Sequence, residues 1–249
     1  MSPPDPQHGS DPNPYTGRGV IGLGLTGLIL KLDEGRVVKV AKVYQLDNIE
    51  SDDARSDMEY INNINRDTLK NEKSVYERLG SHKGIVTCFK TSDYGIELAF
   101  AKQGDLESHI AANPEPDGSS KTDWIVSLIS TFSYIHSRGV LVDDIALRNI
   151  LVSDGRLKLA DFGQSILLPL TADVDTRVHK YYFFDNSNPQ WPTANELPST
   201  HGLFFGSIIR KCWSGEYASA SSVNAEAQIL LTHNGHMRAY DSAATMTGT

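Results

Sequence analysis

The sequence predicts an α+β fold in two parts: a sheet-rich first hundred residues carrying one helix, and a mainly helical remainder that runs short. Three observations predict it. Short Val-, Ile- and Leu-rich runs separated by turn residues gather between Val20 and Phe100. Apolar residues recur at helical spacing at Leu69, Val75, Tyr76 and Leu79, and again at Trp124, Leu128, Phe132 and Ile135. Only 34 residues follow Gly215, rich in Ala, Ser and Thr.

Taken in order, Met1 to Tyr15 is Pro-, Asp- and Gly-rich without an apolar core, so residues 1–17 read as a disordered tail rather than an export signal. Val20 to Val43 reads as three strands, with a turn at Asp33-Glu34-Gly35. Residues 45–67 hold seven acids and two arginines and read as an acidic insertion, either surface loop or poorly packed helix, before the helix of Leu69 to Leu79. Ile85 to Phe89 and Gly95 to Phe100 complete a five-stranded first part, residues 18–100. The second part, residues 101–215, starts with a linker and a short helix from Asp105. A helix capped at Thr122 follows and leaves at Gly139. Ile150 to Val152 and Leu157 to Leu159 flank a Ser-Asp-Gly turn as a small hairpin, and Leu203 to Trp213 is the next helix. Residues 216–249 form a tail to which no structure is assigned.

Twenty-three Lys+Arg against 31 Asp+Glu give a formal net charge of -8, which disfavours a sequence-independent grip on nucleic acid or an acidic membrane face. Val20 to Leu30 is too short to span a bilayer and is broken by glycines. Cys88 and Cys212 follow no metal or redox spacing, and the histidines show no ligand spacing. A reducing cytoplasmic or nuclear setting is expected, with no nucleic acid or membrane partner.

Four motifs carry chemistry. Gly22-Leu23-Gly24-Leu25-Thr26-Gly27 fits GxGxxG, in which missing side chains let backbone N–H groups approach phosphate oxygens. A dinucleotide-binding unit needs a helix directly afterwards, and Leu28 to Val43 reads as a hairpin instead. Glu72 lies on the apolar face of its helix, where an unpaired carboxylate costs several kcal/mol and requires a cation. Lys39, on the third strand and on the same face as Val37, is the first candidate, and Lys42, on the opposite face, is the second. Asp144 with Asn149 five residues later offers one carboxylate for a substrate hydroxyl and one amide oxygen for a metal. Asp161-Phe162-Gly163 sets a carboxylate at a strand end before a glycine. Each alone is compatible with an ordinary turn; the order and spacing of all four set them apart.

In that order and spacing, from about Gly19 to Gly163, the sequence resembles the eukaryotic protein-kinase fold, with a catalytic loop most like the tyrosine-kinase and tyrosine-kinase-like form at Ala146 and Arg148. The resemblance implies a two-lobed fold that binds ATP and Mg²⁺ and phosphorylates a protein substrate. By it, Lys39 holds the α- and β-phosphates and pairs with Glu72, under the turn of Gly22, Gly24 and Gly27. Asn149 and Asp161 hold Mg²⁺, Asp144 takes the acceptor's proton, and Arg148 replaces the usual loop lysine near the γ-phosphate. Ile29, Val37 and Leu151 match positions that enclose adenine, Ala99 to Ala101 match the hinge, and Leu98 matches the gatekeeper.

Several positions depart from the pattern. Val142-Asp143-Asp144 stands where His-Arg-Asp is usual, and the arginine that reads a phosphorylated activation loop is thereby lost. No Ala-Pro-Glu follows Asp161, Trp191-Pro192-Thr193 being the nearest match, and the aspartate that begins the supporting helix falls on His201. The second lobe is therefore expected to be truncated, leaving apolar surface on Leu203 to Trp213 for a partner to cover. The expected activity is transfer of the ATP γ-phosphoryl group to a protein Ser/Thr hydroxyl, with Tyr the lesser acceptor. The alternative is a pseudokinase that binds nucleotide or a partner and transfers nothing. A small-molecule kinase would need a substrate-binding insert that the sequence does not display.

Overall fold

The structure is a computed structural model that describes residues 13–114, 116–170 and 196–246, with side chains as far as His233. The chain divides into two units, Met1–Tyr76 with Thr87–Phe100, and Glu77–Val86 with Ala101–Thr249.

The first unit is built on an antiparallel sheet of β1 (Val20–Leu23), β2 (Gly27–Lys31), β3 (Arg36–Ala41), β4 (Cys88–Thr91) and β5 (Ile96–Ala99), in the order β1-β2-β3-β5-β4. The β2–β3 turn falls where Asp33-Glu34-Gly35 predicts it. Asp33 accepts from the Gly35 N–H at 2.9 Å and from Arg36 Nε at 2.8 Å, and these bonds hold its carboxyl below the ordinary carboxylate range. On one face of the sheet Leu30 and Val38 pack with Tyr15, whose hydroxyl donates to Glu97 at 3.0 Å. Tyr15 therefore belongs to the folded unit and not to a disordered tail, because one aromatic ring on the apolar sheet face is enough to hold the chain there. Residues 1–12 lie outside the described residues.

Of the two readings of the acidic stretch, surface loop or poorly packed helix, the structure takes the helix from Asp52 onward and joins it to the helix expected at Leu69 to Leu79. Helix α1 runs unbroken over Asp52–Leu79 and opens with Asp52 and Asp53 in its first turn, where carboxylates favour the positive end of the helix dipole. Acidic composition reads as solvated surface when considered alone. Here it supplies the outer face of a helix whose inner face carries Asn62, Asn65, Leu69, Glu72, Val75 and Tyr76, all buried.

In the second unit Leu159 N–H donates to Gly84 O at 2.8 Å, and Val86 N–H donates to Leu159 O at 3.0 Å. This pairing, together with His82 stacked on Tyr134 at 4.2 Å and Arg78 donating to Leu168 O at 2.9 Å, is why residues 77–86 fold with this unit rather than with the sheet. A Cβ on Gly84 would overlap the Thr131 side chain, so only glycine lets the chain pass this close to the next helix.

Helix α2 spans Leu106–Ala112, capped by Asp105, and α3 spans Gly118–Ser137, capped by Asp117. The α3 cap thus lies five residues before the expected Thr122, whose hydroxyl instead donates back to Gly118 O at 2.8 Å. Strand β6 (Val140–Leu141) pairs with β9 (Ile166–Leu167), and β7 (Ile150–Ser153) pairs with β8 (Arg156–Leu159). The β7–β8 turn places Asp154 at φ 51 and Gly155 at φ 71, the left-handed pair that a two-residue hairpin demands. Trp191-Pro192-Thr193 lies outside the described residues.

The expected exposed apolar surface at Leu203 to Trp213 is met in part, since Leu203 and Phe204 stay exposed while the helix behind them is covered. Helix α4 (Gly206–Trp213) is covered by α5 (Ala220–Met246) of the same chain, with Phe205, Ile208 and Ala227 buried together and Val223, Leu230 and Leu231 packed around them. Lys211 on α4 meets Glu226 on α5 at 2.9 Å, and the Tyr217 hydroxyl donates to the same carboxylate; burial first and this carboxylate second raise the phenol's pKa. Val223, Ala227, Leu230 and Leu231 follow an i, i+4, i+7, i+8 pattern that fits one helix face, so the cover for Phe205 and Ile208 lies in the chain itself.

Two outcomes follow. Ala227→Arg forces a charge into the α4–α5 contact and should lower the denaturation midpoint and create dye-binding apolar surface; an unchanged midpoint would refute the packing. Asp105→Ala removes the α2 cap and should cost about 1 kcal/mol. The Ser108 N–H and hydroxyl hold the Asp105 carboxyl below its ordinary value, so this contribution is present above about pH 4 and is lost as the pH falls through the lowered value, as denaturant titrations across that range would record.

Candidate functional site

In the first unit β3 alternates across the sheet, sending Val38 to the Tyr15 side and Val37 and Lys39 to the other. Lys39 Nζ lies 2.6 Å from Glu72 Oε2, with the two side chains 9% and 0% exposed. A charge pair removed this far from water persists only because each partner answers the other's desolvation, and deleting one costs about 3–5 kcal/mol. Lys42, the second candidate, instead holds its ammonium 5.1 Å from the centre of the Tyr44 ring.

The glycine motif forms the β1–β2 turn, where Gly24 N–H donates to Gly27 O at 2.9 Å. A Cβ on Gly22 would meet Ile29 at 3.2 Å, and a Cβ on Gly24 would meet Gly27 O at 3.3 Å. At Gly27 the added carbon would lie 3.1 Å from Lys39 Cε and 3.2 Å from Val40 O, so this glycine clears the path of the lysine stem. The turn is thus a bare-backbone cradle next to the strand that carries a buried ammonium, a fit for phosphate oxygens. Val37 and Leu98 are buried, and Ile29 and Ala99 are partly so. Ala99 N–H is taken by Thr87 O and Phe100 N–H by Gly35 O, both at 2.9 Å.

In the second unit Asp144 sits between β6 and a short 3₁₀ turn, Leu147–Asn149. Asn149 donates from Nδ2 to both Asp144 O and Asp144 Oδ2 at 3.0 Å, which leaves its own Oδ1 as an acceptor facing elsewhere. Arg148 Nη2 donates to both Asp144 carboxylate oxygens at 2.8 Å. The arginine expected at the γ-phosphate is therefore paired with Asp144 itself, which fixes that carboxylate from one side.

The β7–β8 pairing continues past both strand ends. Ala160 N–H donates to Asn149 O at 2.9 Å, so Asp161 leaves the hairpin at the end where Asn149 enters it. Asp161 has φ 59, a left-handed backbone uncommon for a side-chain-bearing residue, and it is followed by fully buried Phe162. Val142 is buried too, in place of the usual histidine. Leu151 lies within β7, and Ala101 O accepts from Gly104 N–H at 3.1 Å. Among the described residues no three His, Cys, Asp or Glu side chains converge on a metal. One amide oxygen and one carboxylate instead suit a hard divalent ion that completes its shell with phosphate and water oxygens.

Sequence reasoning missed Asn62 and Asn65, both buried and hydrogen-bonded to the chain beyond β3. Extending the helical period back from Glu72 through Leu69 reaches both positions. The acidic composition of 45–67 hid that signal.

The comparisons agree with this geometry. The protein kinase domain family model matches residues 15–186. The chain is similar to MAP3K epsilon protein kinase 2 of Arabidopsis thaliana, 33% identical over 203 residues that cover 78% of this chain and 13% of that protein. It is also similar to Mitogen-activated protein kinase kinase kinase 20 of the same plant, 29% identical over 188 residues, 68% of this chain and 53% of that one. A third relative is Serine/threonine-protein kinase PDK1 of Cryptococcus neoformans var. grubii, 33% identical over 93 residues, 35% of this chain and 8% of that protein. The chain spans about half the length of the second of these and a small fraction of the other two. With the matched segment running from Tyr15 through the described residues that carry both halves of the candidate machinery, the chain belongs to the protein kinase domain family.

Proposed function

We propose that this chain is an ATP-dependent kinase acting on Ser or Thr hydroxyls of a protein substrate. The observation that carries the reading is the buried Lys39–Glu72 pair at 2.6 Å, because a sheet lysine fixed by a helix glutamate is the phosphate grip that the family uses. The family generally uses ATP with Mg²⁺. Ser/Thr rather than Tyr specificity rests on the name of one relative, Serine/threonine-protein kinase PDK1.

In this reading Lys39 binds and orients the α- and β-phosphates, and the glycine turn supplies backbone donors. Bound Mg²⁺, held by Asn149 and Asp161, would offset phosphate charge. Asp144, oriented by Asn149 and Arg148, accepts the acceptor hydroxyl's proton. The acceptor oxygen then bonds to the γ-phosphorus, the bond from that phosphorus to the β–γ bridging oxygen breaks, and ADP leaves with the electron pair. A second reading, nucleotide binding without transfer, is favoured by Asp143 in place of the usual arginine and by the engagement of both Asp144 oxygens with Arg148.

Two measurements separate these readings. ATP with Mg²⁺ at about a hundredfold its dissociation constant should stabilise the chain by about 2.7 kcal/mol in a thermal melt, and Lys39→Met should abolish the shift. A cooperative melt with no shift would overturn nucleotide binding. Asp144→Asn should keep the thermal shift and lose at least about a hundredfold in phosphoryl transfer to a Ser/Thr peptide. Unchanged turnover would remove Asp144 from the mechanism, and a shift without turnover in the parent chain would establish the second reading.

A further inference from the structure

Helix α1 reaches Lys39 through Glu72, yet the part of it nearest the loop that leaves β3 is not held by apolar contacts. Asn62 and Asn65 occupy the inner face there, 2% and 3% exposed. Asn62 Oδ1 accepts from Tyr44 N–H at 2.8 Å while its Nδ2 donates to Tyr44 O at 2.9 Å, so one amide pairs with both backbone groups of a single residue as a neighbouring strand would. Asn65 Nδ2 donates to Lys42 O at 2.8 Å. Apolar residues at these positions would leave those backbone groups without the partners that buried N–H and C=O groups require.

The three contacts form a ladder. As the helix is followed back from Glu72 to Asn65 to Asn62, the facing chain advances from Lys39 to Lys42 to Tyr44. Seven helical residues from Glu72 to Asn65 rise about 10.5 Å. Three extended residues from Lys39 to Lys42 cover about 10 Å. The two spacings match, so the amides set the register in which the carboxylate meets the ammonium, and a slide of one helical turn would break all three rungs. The middle rung reaches further: Lys42 N–H donates to Thr26 O at 2.9 Å, tying the same peptide to the glycine turn.

We propose that Asn62 and Asn65 are positioning residues that lock α1 in the register that keeps Glu72 on Lys39, building into the first unit an assembled phosphate grip. The proposal rests on the reading of Lys39 as the nucleotide-binding lysine.

The test is a set of double-mutant cycles on the full chain. Asn65→Asp keeps the shape and removes the donor, and it should weaken Mg-ATP binding about tenfold by calorimetry and raise the KM for ATP while leaving the KM for an acceptor peptide unchanged. Combined with Glu72→Gln, it should add nothing to the loss that Glu72→Gln causes alone. Losses that multiply, or ATP binding equal to the parent's, would overturn the proposal. If Asn65→Asp does not fold, Asn62→Asp, which keeps the acceptor for Tyr44 N–H, takes its place. A second cycle without nucleotide measures the coupling of Lys39→Met with Glu72→Gln in unfolding. That coupling should vanish in the Asn65→Asp background, and its persistence refutes the lock even where the parent chain binds no ATP, an outcome that fails the proposed function separately.

Discussion

Everything distinctive in the first unit follows from placing an ammonium and a carboxylate together where water does not reach. Lys39 gains nothing from its position on β3 unless a carboxylate answers it, and Glu72 at 0% exposure cannot stay charged without it. That requirement constrains the neighbours. Gly27 must lack a Cβ so the lysine stem can run past it, and β3 must keep a strict alternation so Val38 and Lys39 face opposite ways. Helix α1 must stop at one register, and an ion pair alone does not fix a 28-residue helix. The side-chain amides of Asn62 and Asn65 supply the missing directionality, since hydrogen bonds to backbone tolerate far less displacement than apolar packing does.

The second unit solves a different problem, which is to hold one amide oxygen and two carboxylates, those of Asn149, Asp144 and Asp161, outside its strands and α-helices. It does so with backbone pairing. The Ala160–Asn149 bond prolongs the β7–β8 ladder by one step, and the Asn149 amide nitrogen is spent on Asp144, so that its oxygen is the atom left over. Buried Phe162, the residue after Asp161, anchors the chain there, and the positive φ of Asp161 is held between that anchor and the ladder behind it. The same unit closes its C-terminal side with its own α5, which lies in an Ala-, Ser- and Thr-rich stretch beyond the segment that the family model matches. Small residues suit that role, since Ala227 at 0% exposure lets α5 approach Phe205 and Ile208 closely.

The sequence by itself determined the α+β class, the hairpin turns and the order of the chemical motifs. Period-2 and period-3.6 patterns, turn residues and the need of a buried charge for a partner are local or pairwise rules that survive without coordinates, and they sufficed to require a lysine for Glu72 and to rank Lys39 ahead of Lys42. Tertiary structure decided the rest. Whether an acidic stretch is solvated loop or the outer face of a helix depends on what its other face meets, and here it meets the backbone of Lys42 and Tyr44. The fate of Tyr15 turned on an apolar sheet face assembled from strands far along the chain, and that of Phe205 and Ile208 on a helix whose register against α4 no local rule sets. The choice between Lys39 and Lys42 was settled the same way: one lysine lies within β3 and the other just past it, and only the packing of α1 gives one a carboxylate while the other rests over a tyrosine ring.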